Sequence, residues 1–88
     1  MSSQYDEFIT ADTVEGKVKQ LIRIWAERPN DEIDNDFNFK AGASELRLDF
    51  LNGVIADALT DVFKVLTKST DVEPLSTVQD IINRINNA

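Results

Sequence analysis

Ser44 opens the longest apolar-periodic stretch of the chain, and its setting admits covalent chemistry. A hydroxyl at the start of a helix projects from the end of a rigid rod. The positive end of the helix dipole steadies a phosphodiester formed there. Serine also serves at that position as an ordinary N-cap, worth about 1 kcal/mol. Catalysis by Ser44 itself lacks its partners. The chain has no histidine and no cysteine, which removes the usual base at neutral pH and every thiolate nucleophile or ligand, and no Ser–Lys pair is evident. An independent hydrolase or transferase is therefore a poor reading, and the expectation is a non-catalytic protein.

Two further sets of polar residues have suggestive spacing. Asp34, Asp36, Asn38 and Glu45 match positions 1, 3, 5 and 12 of an EF-hand calcium loop. Phe39 stands where that loop needs glycine for its sharp turn, Ala41 replaces the apolar residue that joins paired loops, and no second loop follows. The four are weak metal candidates, and loose divalent-cation binding is the most they predict. The other set is Glu45, Asp49, Asp57 and Asp61, an acidic strip interrupted by Arg47 and Lys64. Such a strip presents carboxylates to basic patches on partner proteins, or is simply a solvated helix face.

Composition narrows the partners. The 88 residues carry a formal net charge of −7, which repels nucleic-acid phosphates and anionic membranes and favours proteins with basic patches. Neither nucleic acid nor membrane is expected as a partner. No apolar run is long enough to span a bilayer. The opening MSSQYDEFIT lacks the basic start and apolar core of a signal peptide. The reading is a cytoplasmic, monomeric, single small domain, with no core to spare for a deep cavity.

The elements that must position these residues are helical. Residues 1–11 form a polar leader from which Tyr5, Phe8 and Ile9 either dock on the core or stay loose; residues 12–88 form the domain. The first helix starts at Asp12 or Thr13, where Asp12 and Glu15 have capping-box spacing, and Gly16 weakens its first turn. Val14, Val18, Leu21, Ile22 and Trp25 make one apolar stripe, and Pro29 ends the helix. A loop from Asn30 to Ala43 carries Phe37 and Phe39, which predicts that it packs across the helices. The second helix starts at Ser44 with Glu45 in its first turn. Leu48, Leu51, Ile55, Ala58, Val62 and Leu66 carry it to about Leu66, broadened by Leu59 and Phe63. Gly53 costs it about 1 kcal/mol. The connection from Thr67 to Leu75 has room for a short helical turn. The last helix starts at Ser76 or Thr77, with a capping box through Gln79 and a buried face of Val78, Ile81, Ile82 and Ile85. The fold class is all-α: a small bundle of three main helices plus a short connecting one.

The last helix also carries a family likeness. Ser76-Thr77-Val78-Gln79, followed by Ile82 and Ile85, resembles the final helix of acyl carrier proteins. Phe63 precedes Val78 by the distance at which that family closes its second helix with an aromatic residue. Phe37, Ala41 and Ser44 are similar to its run of Phe, Gly and the serine that receives 4′-phosphopantetheine. Val14–Trp25 resembles its first helix, so the likeness runs from about Asp12 to Ile85. Two registers are open at the site. With Ala41 on the family glycine, Ala43-Ser44-Glu45 stands for Asp-Ser-Leu. With Gly42 on it, Leu46 takes the leucine, Glu45 replaces the serine, and Ser44 is its neighbour. The stretch from Ser44 to Phe63 is longer than usual by about one helical turn.

The resemblance implies an acyl-carrier-like helical domain, free-standing and variant at the attachment site. It would carry acyl or aminoacyl intermediates as thioesters on 4′-phosphopantetheine attached to Ser44, in polyketide, non-ribosomal peptide or fatty-acid biosynthesis. Its partners would be a phosphopantetheinyl transferase and acyl-processing synthase enzymes with basic patches, met through Glu45, Arg47, Asp49, Asp57 and Asp61. The alternative is an unmodified protein of the same fold, a binding or regulatory module working through its acidic second helix.

Overall fold

The computed structural model describes residues 9–27 and 32–88. Four helices follow in chain order: α1 (Val14–Trp25), α2 (Glu45–Asp61), α3 (Ser69–Val72) and α4 (Val78–Asn86). This is the all-α arrangement of three main helices and a short connecting one that the periodicity predicts. The short turn expected between Thr67 and Leu75 is α3.

The cap of α1 sits on Thr13, whose Oγ1 accepts the Gly16 amide at 3.0 Å. Glu15 turns away from a capping box with Asp12 and pairs with Lys19 at 2.9 Å. Gly16 has a use that its cost in helix propensity hides. A Cβ there would stand 2.7 Å from the Cβ of Ala11, so the missing side chain lets residues 9–11 lie against the helix. The amides of Thr10 and Ala11 donate to Gln20 Oε1 at 3.0 and 3.1 Å, and Ile9 packs on Leu21 and Ala58. Tyr5 and Phe8 lie outside the described residues, as does Pro29. The helix stops at Trp25, and Glu27 turns left-handed at φ 59° with its amide on the Ile24 carbonyl.

α2 begins where the sequence predicts and ends five residues sooner, at Asp61. The reason lies in Thr60 and the returning segment. Thr60 Oγ1 donates to the Ala56 carbonyl at 3.0 Å and accepts the Thr67 amide at 3.1 Å, which folds the chain back along the helix. Lys64 makes the reversal at φ 59°, and the Val65 amide reaches the Leu59 carbonyl at 3.0 Å. Val65 and Thr67 are thereby buried, while Leu66 is 80 % exposed and not part of the buried stripe.

The capping box of α4 closes through Asp80 rather than Gln79. Thr77 Oγ1 accepts the Asp80 amide at 3.2 Å, and Asp80 Oδ2 accepts the amides of Ser76 and Thr77 at 3.0 and 3.1 Å. Gln79 is used differently: its Oε1 accepts Asn35 Nδ2 at 2.9 Å. The Phe37–Phe39 loop does cross the helices, and it is sewn to this helix end. The Val78 amide donates to the Phe37 carbonyl at 3.1 Å and the Phe39 amide to the Ser76 carbonyl at 3.0 Å. Ile33 and Phe39 are buried, and Phe37 packs against the same cluster.

The core joins Val18 and Ile22 of α1, Leu51, Ile55 and Leu59 of α2, Val72 of α3, and Val78, Ile81 and Ile82 of α4. α1 packs on α4 and α2 on α3. The space left between α1, α2 and α4 is about 10 Å³, the room of roughly one water. Among the described residues no helix is long and apolar enough to cross a membrane.

Candidate functional site

Ser44 is exposed at the N-cap of α2, with an extended backbone (φ −71°, ψ 168°). Its Oγ accepts the Arg47 amide at 3.2 Å, and its carbonyl accepts the Leu48 amide at 2.9 Å. The hydroxyl thus does what an N-cap does, and it stays open to solvent at the positive end of a 17-residue helix. The approach is lined by small residues: Ala41, Gly42 and Ala43 precede it. Gly42 holds φ +73°, a left-handed conformation that side chains disfavour. The turn is closed by the Ala43 amide on the Lys40 carbonyl at 3.1 Å. Because the loop ahead of this turn is fixed to α4 through Phe37 and Phe39, the head of α2 is held by two helices.

The expected recognition residues divide. Glu45, Asp49, Asp57 and Asp61 are all exposed along α2. Arg47 does not simply interrupt them. Its guanidinium donates to the Trp25 carbonyl, capping the end of α1, and lies 5.2 Å from the centre of the Phe50 ring. It is half-buried and works as a tie between α1 and α2, while Lys64 remains exposed. Beside it Leu46 is 84 % and Phe50 48 % exposed, one helical turn apart. Sequence periodicity places neither on the apolar stripe, so their exposure follows from it.

The EF-hand residues are not drawn into a site. Asn38 pairs its backbone with Thr77, and its Oδ1 accepts the Lys40 amide at 2.9 Å. The Asp34 carbonyl closes a turn with the Phe37 amide at 3.0 Å. Asp34, Asp36 and Glu45 are exposed, and among the described residues no three acidic side chains converge on a metal-sized position.

Three features of this end escape sequence reasoning. Lys40 reaches across to α3, donating from Nζ to the Val72 and Glu73 carbonyls at 2.8 and 3.0 Å. Partial burial lowers its pKa, against the opposing pull of Glu73 and Asp80. Asn52, inside α2, is 8 % exposed, and its Oδ1 has no hydrogen-bond partner. Lys40, Glu45, Leu48, Asp49, Asn52 and Glu73 together line a cleft of about 400 Å³ between α2 and the end of α3. The only local signal was an asparagine one residue beyond Leu51 on an apolar stripe. No family model matches the chain, and no curated protein or solved structure matches it.

Proposed function

We propose that this chain is a non-catalytic carrier whose Ser44 is the attachment point for a 4′-phosphopantetheine arm bearing acyl or aminoacyl intermediates. The observation that carries the reading is the placement of Ser44: an exposed hydroxyl at the N-cap of the longest helix, approached over Ala41, Gly42 and Ala43. The residues present fit such a group. The arm would supply the thiol that the chain lacks, and the helix N-terminus favours the charge of its phosphodiester. The chain's own residues hold the site still: Arg47 ties α2 to α1, and the Phe37–Phe39 loop ties it to α4. The exposed Glu45, Asp49, Asp57 and Asp61 are the surface offered to a transferase and to synthase enzymes with basic patches. The test is intact mass after incubation with coenzyme A and a broad-specificity phosphopantetheinyl transferase. A gain of about 340 Da, the mass of the arm, that is absent in Ser44→Ala is expected. No gain with several transferases overturns the reading.

A second reading is favoured by Gly42. Its left-handed backbone is a physical reason for a glycine at that place, which Ala41 does not share. That supports the register in which Glu45 replaces the attachment serine. In that case the protein is an unmodified module of the same fold, acting through the exposed α2 face. An unchanged mass under all loading conditions is its expected result.

A further inference from the structure

We infer that Asn52-Gly53, in the middle of α2, is a deamidation site that the fold keeps closed: it reacts when α2 unwinds and leaves a carboxylate where the native chain holds a neutral side chain. This does not depend on the carrier reading. Asn52 is the one asparagine of the chain that glycine follows. Asparagine is a thermolabile residue, and a glycine after it leaves the next backbone nitrogen without a neighbouring Cβ and free to turn towards the side-chain amide. The fold calls for neither residue. Gly53 has no left-handed backbone, and an added Cβ would meet nothing within 4 Å among the described residues. Asn52 is 8 % exposed, and its Oδ1 has no donor among the described residues. Each is a local cost at the centre of the longest helix.

The chemistry needs no reactant beyond water. The Gly53 backbone nitrogen gives its proton to water or hydroxide and attacks Asn52 Cγ. The N–Cγ bond forms, Nδ2 takes up a proton, and the Cγ–Nδ2 bond breaks to release ammonia. Water then opens the resulting succinimide at one of its two carbonyls. One opening gives an aspartate in place of the asparagine. The other gives isoaspartate, which runs the backbone through the side chain and lengthens it by one carbon. The folded chain opposes the first step twice. The Gly53 amide lies inside α2, where the helix ladder commits it to the Asp49 carbonyl. Negative charge develops on Asn52 Oδ1 during the attack, and in the fold that atom is sealed from solvent and meets no donor among the described residues. Unwinding removes both obstacles at once. The product then bears on refolding. A carboxylate returns unpaired to a buried position on a turn whose Leu51 and Ile55 are core residues. The extra isoaspartyl carbon also puts the helical bonds that span it out of register. Chains that have stayed open are thereby marked and held out of the native population.

The full chain is kept at neutral pH and body temperature, in buffer and in guanidinium chloride, and samples are digested with trypsin, which frees residues 48–64 as one peptide. Loss of ammonia and gain of water add about 1 Da to that peptide, and its aspartate and isoaspartate forms separate by retention time. The unfolded chain is expected to convert at least about a hundredfold faster than the native one, because interior helix amides are open in only a small fraction of native molecules. Equal rates in the two solvents overturn the protection, and no conversion in guanidinium chloride overturns the site. In guanidinium chloride, where differences in stability play no part, Gly53→Ala is expected to slow the reaction severalfold and Asn52→Gln nearly to stop it. An unchanged rate in Gly53→Ala overturns the role of the glycine. The two products, separated from the unreacted chain and refolded, are expected to melt below it, the isoaspartate form lowest. Products that melt with the unreacted chain overturn the exclusion from the native population.

Discussion

Asn52→Leu is expected to stabilise the protein. Asn52 is 92 % removed from solvent on a helix whose neighbours Leu51 and Ile55 are core residues, and its Oδ1 receives no hydrogen bond. An unmade hydrogen bond at a buried polar atom costs about 1–3 kcal/mol. Leucine is close in shape, removes that penalty and adds apolar contact with Leu48 at the cleft. Against this stand the rotamer entropy of leucine, about 0.5–1 kcal/mol, and some crowding at the α3 side. The net gain is about 1 kcal/mol, which in a domain of this length raises the melting temperature by roughly 4–8 °C. Thermal unfolding followed by circular dichroism reads this directly. Asn52→Asp places a charge in the same volume and is expected to melt below the wild type. A leucine variant that melts at or below the wild-type temperature would show that the carbonyl is satisfied, by water for example, and the reasoning fails. A residue whose replacement adds stability is one whose presence calls for another reason.

The two helical glycines are expected to answer alanine in opposite ways. Gly53 has nothing within 4 Å of an added Cβ, so Gly53→Ala gains about 1 kcal/mol of helix propensity in a denaturant melt. Gly16→Ala meets the Ala11 Cβ at 2.7 Å, so the same gain is spent in displacing residues 9–11. Hydrogen exchange at the Thr10 and Ala11 amides then rises, whereas an unchanged rate would show that the segment gives way without cost. Asp80 gives a pH dependence. Its pKa lies below the ordinary carboxylate value, held down first by the Ser76 amide, with the Thr77 amide and the Thr77 and Ser76 hydroxyls adding to it and partial desolvation opposing. A depressed carboxylate contributes stability above its unfolded pKa of 3.8, and this is lost as pH falls through the folded value. Asp80→Asn is expected to flatten that acid limb of the melting curve. Ser44→Ala removes the α2 cap at a cost of about 1 kcal/mol, and a melting temperature equal to that of the wild type would show that the Arg47 amide finds another acceptor.

Much of the fold was legible because the signals were local. The stripes Val14–Trp25 and Val78–Ile85, and Ser44 as the α2 cap, follow from spacing and capping chemistry alone, and the structure has them. The failures come from polar side chains whose partners an apolar pattern does not show, some near in the chain and some far along it. The early end of α2 comes from Thr60 bonding the backbone of Thr67, which an apolar Leu66 at helical spacing conceals. Asp80, not Gln79, closes the α4 box because it reaches two amides at once, leaving Gln79 to Asn35, 44 residues away. Arg47 looked like one more surface charge, and the carbonyl it caps belongs to α1, 22 residues earlier. The EF-hand spacing was real as a pattern, and pairing of Asn38 with Thr77 spends that loop on the fold instead.

The same distinction orders the site. Ser44 announces itself because its role is set by its own helix. The cleft does not, because it needs α3 to arrive beside α2, and that arrival depends on Lys40 holding the carbonyls of Val72 and Glu73. Lys40 spends two of its three donors on that task and brings one positive charge to a surface with three carboxylates, so the local field stays negative. Glu45, exposed in the first turn of α2, sets a negative charge beside the Ser44 hydroxyl, which opposes any phosphodiester formed there even as it suits the positive end of the helix dipole.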